Sequence, residues 1–451
     1  MGKLFGTDGI RGIVNAGLDG ELAYQVGLAA AAVLSKEKQG GRPLFTIGKD
    51  TRVSSDLLEA ALIAGLCSAG ADVMRLGVIP TPGVAFATIR NQADAGIVIS
   101  ASHNPFEHNG IKIFNGQGFK LSDALENEIE DIILNHIEVP RKTHGDIGRI
   151  TVADHREAEA YIDHLASTID SDLAGLRILV DCANGASSAT APGLFARFDK
   201  LKFDVISAQP DGTNINNGCG STHIDRLAKL VREGGYDVGI AFDGDADRCL
   251  AVDETGELID GDQVLAICGT DLMNRGELPQ NTIVATVMSN LGLRVFCKEH
   301  GLTMGCTPVG DRNVLEEMER GGFMLGGEQS GHTIFRRYAT TGDGELTALQ
   351  LLNVFAKSPA QEISELAAMC QRYPQTLVNV QVDSKEKKES IMASQTLQDA
   401  IDKAQAELAN TGHILIRPSG TEPLIRVMVE AKEQDQADAV ANSLADLVRG
   451  L

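Results

Sequence analysis

Asp243, Asp245 and Asp247 alternate in the segment Asp243-Gly244-Asp245-Ala246-Asp247-Arg248, directly after an apolar run ending at Phe242. Alternate side chains of an extended chain share one face. Three carboxylates held that way repel unless a cation or a proton intervenes. Fully extended, the outer two lie roughly 13 Å apart at about 3.3 Å rise per residue, too far for one ion. The small Gly244 and Ala246 let the chain curl. A donor set of carboxylates alone suits a hard cation, with magnesium favoured. A calcium loop of the EF-hand kind would bring Asp243, Asp245, Asp247 and Glu254 into register, but Arg248 stands where that loop needs glycine. A solvated acidic turn is the plain alternative.

Three other segments offer complementary groups. Ser100-Ala101-Ser102-His103-Asn104-Pro105 ends the β-branched run Gly96-Ile97-Val98-Ile99, with Lys112 a short way on. It puts a hydroxyl at a strand's end beside an imidazole and near a lysine, although Ser, Asn and Pro also make ordinary turns. Gly327-Glu328-Gln329-Ser330-Gly331-His332 alternates a carboxylate, a hydroxyl and an imidazole. The first two suit the adjacent hydroxyls of a sugar, and His332 could move a proton. Arg417-Pro418-Ser419-Gly420-Thr421 gathers a guanidinium, two hydroxyls and backbone N–H groups around a glycine, with Arg426 on the next strand. Such a set suits an anion, phosphate especially, and a Pro-Ser-Gly turn is its alternative. Phe5–Gly12 is a glycine-rich turn with one guanidinium, Arg11.

A repeated pattern must position these groups. Its strands are expected at Pro43–Gly48, Asp72–Val78 and Ala95–Ser100, then Arg177–Asp181, Lys202–Ser207 and Asp237–Phe242, then Thr282–Met288, Leu302–Thr307 and Gly322–Leu325. Helices are expected between the first two strands of each copy, at Asp56–Ala69, Ala186–Phe198 and Leu291–Glu299. Strands alternating with helices imply βαβ units on a largely parallel sheet, here in three related α/β domains. The serine, aspartate and glutamate loops each follow a copy's third strand. Ligands of open α/β sheets bind beyond the carboxyl ends of strands, so the three loops are expected to share one cleft. A leading helix is expected at Glu21–Lys36 with Asp19 as its cap, and a linker at Asp146–Asp170 running into a helix at Ala158–Ser167. After Cys370 the pattern becomes a small α+β domain, with strands Thr376–Val382 and Leu424–Val429 and helices Gln395–Ala409 and Gln434–Arg449. Asp383–Glu389 reads as a solvated surface turn.

Composition limits the function. The length of 451 residues suggests about three domains at ~150 residues each. A net charge of −22 argues against nucleic-acid binding. Aromatic residues at 4%, with no Trp, argue against base stacking and leave a sugar to be read by hydrogen bonds. The eight cysteines form no Cys-x-x-Cys pair and read as reduced thiols, with a cytoplasmic location expected. No signal peptide is expected, Met1-Gly2 lacks the Ser or Thr of the acylation motif, and the apolar stretch Leu22–Leu34 is too short for a membrane span. No Walker-type or Gly-x-Ser-x-Gly motif is present. The other histidines (108, 136, 144, 155, 164, 223, 300 and 413) show no metal-ligand spacing.

Taken together, Ser100–Pro105, Asp243–Arg248, Gly327–His332 and Arg417–Pro423 resemble the four signature loops of the α-D-phosphohexomutase superfamily, in matching order over nearly the whole chain. Phe5–Gly12, Gly327–His332 and Thr340–Gly344 bring it nearest the bacterial branch acting on glucosamine phosphates. The resemblance implies three α/β domains with mixed, largely parallel sheets and a smaller C-terminal α+β domain around a central cleft. Boundaries are expected at 1–153, 154–254, 255–368 and 369–451. The implied activity interconverts glucosamine 6-phosphate and glucosamine 1-phosphate through a bisphosphorylated sugar, on the route to the activated amino sugar of cell walls. Carried over by position, Ser102 becomes a phosphoserine, and Asp243, Asp245 and Asp247 hold one Mg²⁺ with it. Glu328 and Ser330 contact the sugar, while Arg417, Ser419, Gly420 and Thr421, with Arg426 beside them, grip the non-reacting phosphate. Lys112, His103, Arg11, Arg248 and His332 support the chemistry. A hexosamine 1,6-bisphosphate serves as intermediate and activator. Asn313 departs from the pattern, which has Tyr there. The C-terminal domain is expected to move as a lid.

Other readings stay open on the sequence alone. They are a phosphoglucomutase or phosphomannomutase of the same superfamily, an aspartyl-phosphate phosphatase using Asp243, and a non-catalytic sugar-phosphate sensor. The expected partner is a small sugar phosphate, with neither nucleic acid nor membrane, and a homodimer is left open.

Overall fold

The computed structural model describes residues 4–6, 8–36, 40–409, 411–419 and 423–451. They form two compact units, 1–286 with 305–368, and 287–304 with 369–451.

The first sheet contains β1 (Ile10–Ile13), β2 (Leu44–Lys49), β3 (Asp72–Val78), β4 (Ala95–Ile99), β5 (His108–Asn115) and β6 (Ile150–Val152), in the order β1-β5-β4-β2-β3-β6. β4, β2, β3 and β6 are parallel, whereas β5 runs antiparallel to both β4 and β1. Every residue of β4 is buried, as expected of a strand covered on both faces. Helices Gly20–Leu34 and Ser55–Ser68 pack in close contact. A methyl group on Gly65 would lie 2.1 Å from the Tyr24 carbonyl oxygen. Asp19 caps the first helix as expected, accepting from the Leu22 N–H at 2.8 Å.

The second sheet contains β7 (Arg177–Asp181), β8 (Lys202–Ile206), β9 (Val238–Phe242), β10 (Cys249–Asp253) and β11 (Leu258–Ile259), in the order β11-β10-β9-β7-β8. The third contains β12 (Thr282–Thr286), β13 (Thr303–Thr307), β14 (Leu325–Gly327) and β15 (Thr333–Phe335), in the order β13-β12-β14-β15. In all three sheets a buried parallel strand is followed by an antiparallel return: β4 by β5, β9 by β10, β14 by β15. The loops carrying Ser102, the aspartate trio and Glu328 are the tips of these returns. Their polar groups therefore sit where the chain must leave the sheet and reverse.

Several expectations needed correction. The helix expected at Ala186–Phe198 is a 3-10 turn, Ala186–Ala189, and a short helix, Ala191–Phe195, with Pro192 and Gly193 shortening it. The strand expected at Gly322–Leu325 is β14, because Gly322 in the left-handed conformation ends the helix Asp311–Gly321. The segment expected as a linker contributes β6 to the first sheet, and its helix spans Asp154–Ala166.

In the second unit β16 (Gln375–Gln381), β17 (Gly412–Pro418) and β18 (Leu424–Ala431) form an antiparallel sheet in the order β16-β18-β17. It packs with helices Gln395–Leu408 and Gln434–Gly450 around Ile425, Val427, Leu444 and Val448. The helix Leu291–Glu299 belongs to this unit, and the buried Glu430 carboxylate accepts from Asn290 Nδ2 at 2.9 Å and the Leu291 N–H at 2.8 Å. Asp383–Glu389 is not a surface turn: Ser384 caps a helix over Lys385–Met392.

The eight cysteines are free, and all but Cys306 are buried. Among the described residues, no helix is long and apolar enough to cross a membrane.

Candidate active site

Ser102 is buried, and its Oγ donates to Asp243 Oδ2 at 2.5 Å. The hydroxyl also lies 3.3 Å from His103 Nδ1. The two loops expected to cooperate, more than a hundred residues apart in sequence, are therefore in direct contact. Ser102 holds φ at +53° and Ala246 at +54°, left-handed values that a non-glycine residue adopts only under compensation. That compensation is visible. The Ser102 N–H donates to Ser100 Oγ at 3.0 Å, which donates in turn to Asp50 Oδ2 at 2.6 Å.

Asp243, Asp245 and Asp247 are buried, each offering a carboxylate oxygen within 4.8 Å of the others. The loop has curled as its small residues allow. It is pinned by the Thr81 N–H on the Asp245 carbonyl, the Ala186 N–H on Gly244 and the Gly344 N–H on Ala246, each at 2.9 Å. Thr81 Oγ1 also donates to Asp245 Oδ2 at 2.7 Å. Burial, with Asp245 and Asp247 beside it, raises Asp243 well above the usual carboxylate range. Burial also opposes the charge on Asp247, but Lys112 and His332 outweigh it and hold that carboxyl low. Asp245 Oδ1 and Asp247 Oδ1 are buried without a hydrogen-bond partner, with Arg248 Nε 3.9 Å from the latter. Orphaned buried oxygens at such spacing fit a divalent cation.

Lys112 is buried, with its Nζ 2.9 Å from Asp245 Oδ2, 3.1 Å from Asp8 Oδ2 and 3.6 Å from Asp247 Oδ2. Burial disfavours its charge, yet Asp245, Asp8 and Asp247 together raise it above the ordinary lysine value. Asp8 also pairs with Lys120 at 2.6 Å and with Arg11, and Lys120 pairs with Asp311. His332 closes the circuit, with Nδ1 3.6 Å from Asp247 Oδ2 and Nε2 3.9 Å from Asp311 Oδ2. Burial works against an imidazolium there, but Asp247 and Asp311 raise the ring above its ordinary value. The backbone N of Gly342 lies 3.1 Å from His332 Nε2. Lys112, Asp8, Lys120, Asp311, His332 and Asp247 thus form a closed ring, with carboxylates alternating with basic groups. Arg248 Nη1 lies 3.2 Å from His103 Nδ1, and burial with Arg248 and Arg11 lowers His103 to about 4.

Glu328 is half-buried and accepts from the Gly310 N–H at 3.0 Å. Ser330, at the tip of the same return, is exposed and makes none of these contacts. The alternation of Glu328, Ser330 and His332 is not that of a strand, because Gly331, with φ at +95°, turns the chain between them. Asn313 Nδ2 donates to the Val309 carbonyl at 2.9 Å within the neighbouring loop.

In the second unit, Arg417 and Arg426 stand directly opposite in the β17–β18 register. Burial and Arg426 lower Arg417 from its ordinary value. Like charges opposed across strands repel, an arrangement that an anion relieves. Ser419 is buried; its N–H donates to the Leu424 carbonyl at 2.9 Å, and its carbonyl accepts from Lys388 Nζ at 2.6 Å. Gly420 and Thr421 lie outside the described residues. Sequence reasoning missed Asp8, Asp50, Arg52, Lys120, Asn216, Asp311 and Lys388. Only Asp8 had a local signal, standing three residues before Arg11 in the Phe5–Gly12 turn.

Comparison with known proteins agrees with this geometry. Models of phosphoglucomutase/phosphomannomutase match the chain throughout: α/β/α domain I at residues 2–139, domain II at 159–256, domain III at 260–373 and the C-terminal domain at 377–447. The phosphoglucosamine mutase of Acetivibrio thermocellus is 52% identical over 451 residues, covering 99% of both chains. That of Ruminiclostridium cellulolyticum is 52% identical over 452 residues, covering 100% of this chain and 99% of its own. In fold, a phosphoglucomutase/phosphomannomutase family protein of Burkholderia thailandensis superposes with a TM-score of 0.80 at 24% identity, covering 99% of this chain and 97% of its own. With a buried serine on a buried aspartate trio and four matching domains, the chain belongs to the phosphoglucomutase/phosphomannomutase family.

Proposed function

We propose that this chain interconverts glucosamine 6-phosphate and glucosamine 1-phosphate, with Ser102 carrying the phosphoryl group between the two oxygens. The observation that carries the reading is the Ser102 hydroxyl 2.5 Å from Asp243 within a buried carboxylate trio. The choice of glucosamine rests on full-length relatives at 52% identity that are named phosphoglucosamine mutases.

In the first half-reaction the Ser102 Oγ–P bond breaks and an O–P bond forms at the free sugar hydroxyl, which gives up its proton. The product is a hexosamine 1,6-bisphosphate. In the second, Ser102 Oγ takes the other phosphoryl group and the sugar oxygen left behind gains a proton, so nothing is consumed overall. Lys112, His103 and His332 are the candidates for moving these protons. Phosphoryl transfer of this kind needs positioning and charge stabilisation more than covalent help.

Asp243, Asp245 and Asp247 would hold one magnesium ion with the phosphoserine, and the bound ion would supply charge neutralisation for the transferring group. Three carboxylates, a phosphate near −2 and one divalent ion leave about −3, which Lys112, Arg248 and Arg11 offset. Glu328 and Ser330 read the sugar hydroxyls, and Arg417, Ser419, Gly420, Thr421 and Arg426 take the phosphate that stays in place. A cytoplasmic location, in amino-sugar activation for the cell wall, and a four-domain partition at 1–153, 154–254, 255–368 and 369–451 go with this reading.

Turnover of glucosamine, glucose and mannose 6-phosphates, with a hexose 1,6-bisphosphate present, tests the substrate. Glucosamine 6-phosphate is expected to be preferred, and a clear preference for mannose or glucose would assign the chain to another branch of the family. Ser102→Ala is expected to lose nearly all turnover while still binding substrate.

A further inference from the structure

The Ser102 loop is gripped from two sides. Arg52 belongs to the same α/β domain. Its Nη2 donates to the Ser102 carbonyl at 2.9 Å and the Asn104 carbonyl at 2.8 Å, and its Nη1 donates to the Pro105 carbonyl at 2.5 Å. Asp50 backs this guanidinium at 2.9 Å. Asn216 comes from the second α/β domain, and its Nδ2 reaches the same two carbonyls, Ser102 at 2.9 Å and Asn104 at 3.1 Å. We propose that Asn216 is a positioning residue for phosphoryl transfer, its amide setting the Ser102 loop in register with the Asp243–Asp247 loop across the two domains. The inference rests on the function proposed above.

Arg52 already satisfies both carbonyls, so hydrogen-bond satisfaction alone does not require Asn216. What Asn216 adds is a tie to the other domain. Its own N–H donates to the Ala183 carbonyl at 2.9 Å, while the neighbouring Gly185–Ala186 turn holds the Gly244 carbonyl through the Ala186 N–H. Gly244 lies against both partners, since a methyl group there would be 2.5 Å from the Ser102 oxygen and 2.8 Å from Asn216 Nδ2. The amide is therefore wedged where the serine and aspartate loops meet, without touching Ser102 Oγ or a carboxylate of the trio. A left-handed serine places its hydroxyl correctly only while its flanking carbonyls keep their direction, and those are the atoms that Asn216 holds.

Asn216 itself has φ at +58°, which Asn, Asp and Gly tolerate, so Asn216→Asp and Asn216→Gly remove the donor without adding backbone strain. The test measures steady-state kcat and KM for the sugar phosphate. It also measures the rate constant for Ser102 phosphorylation by glucose 1,6-bisphosphate, from intact mass after quenching. That rate constant reports only folded molecules. Both variants are expected to lose about 10–100-fold in kcat and in the phosphorylation rate constant, with KM within about twofold of the parent. Rate constants within twofold in either variant, a raised KM at unchanged kcat, or failure of both variants to fold would overturn the inference. If the unsubstituted protein takes no phosphate on Ser102, the proposed function fails instead.

Discussion

Lys112 shows how much of the site rests on single charges. Its ammonium is buried among Asp245, Asp8 and Asp247. Removing one partner from a buried ionic cluster leaves charges unpaired, typically at a cost of about 3–5 kcal/mol. Lys112→Met is expected to destabilise the protein by that order in urea unfolding and to lower turnover at least 100-fold. Sequence reasoning found Lys112, Ser102 and the aspartates because residue type and local spacing carried the signal. It missed Arg52, Asn216 and Asp311 because the groups they hold lie far off in sequence: Asn216 meets Ser102 across 114 positions and Lys120 meets Asp311 across 191. No local pattern marks such pairs.

The strand returns organise the site at the level of elements. The parallel strands other than β6 were legible as apolar runs, whereas β5, β10 and β15 were not, being short or carrying polar residues at the tips. The segment after β15 has its own role. Gly342 lies against His332, and Asp343 caps the helix Gly344–Lys357 by accepting from the Leu346 N–H at 2.9 Å. A methyl group on Gly342 would sit 2.4 Å from the His332 ring. Gly342→Ala is therefore expected to displace that imidazole and cut kcat by about 10–100-fold, as steady-state kinetics would report.

Asp343 also accepts from Tyr161 Oη at 2.8 Å, and burial raises its carboxyl to about 6. A carboxyl raised in the folded state holds its proton more tightly there than in the unfolded chain. Its contribution to stability is therefore complete below about pH 4 and is lost as pH rises through 6. Asp343→Asn, which keeps the cap, does not titrate. Its stability relative to the parent is expected to improve by roughly 2–3 kcal/mol between pH 4 and 7, and a flat difference in urea unfolding across that range would contradict the assignment.

Across the whole molecule, the net charge of −22 and the acidic trio oppose an anionic substrate. The ring of Lys112, Asp8, Lys120, Asp311, His332 and Asp247 resolves this locally by alternating carboxylates with basic groups, leaving Asp245 Oδ1 and Asp247 Oδ1, which accept no hydrogen bond, for a cation. A cation bound only by the folded state stabilises it by about 2.7 kcal/mol at a hundred times its dissociation constant. Magnesium is therefore expected to raise the unfolding midpoint, chelation to reverse the effect, and Asp245→Asn to abolish it, as thermal melts would register. The three related α/β sheets and the final α+β sheet were readable from periodicity. The assignment of Leu291–Glu299 to the C-terminal unit was not, because it depends on Glu430, 139 positions beyond Leu291.

The most direct test is to incubate the purified protein with a hexose 1,6-bisphosphate labelled in its phosphates and map the labelled peptide. A single acid-stable phosphate on Ser102, chased off by glucosamine 6-phosphate or glucosamine 1-phosphate, is the predicted result. Label on Asp243 with none on Ser102, or label on Ser102 that neither sugar phosphate removes, would contradict it.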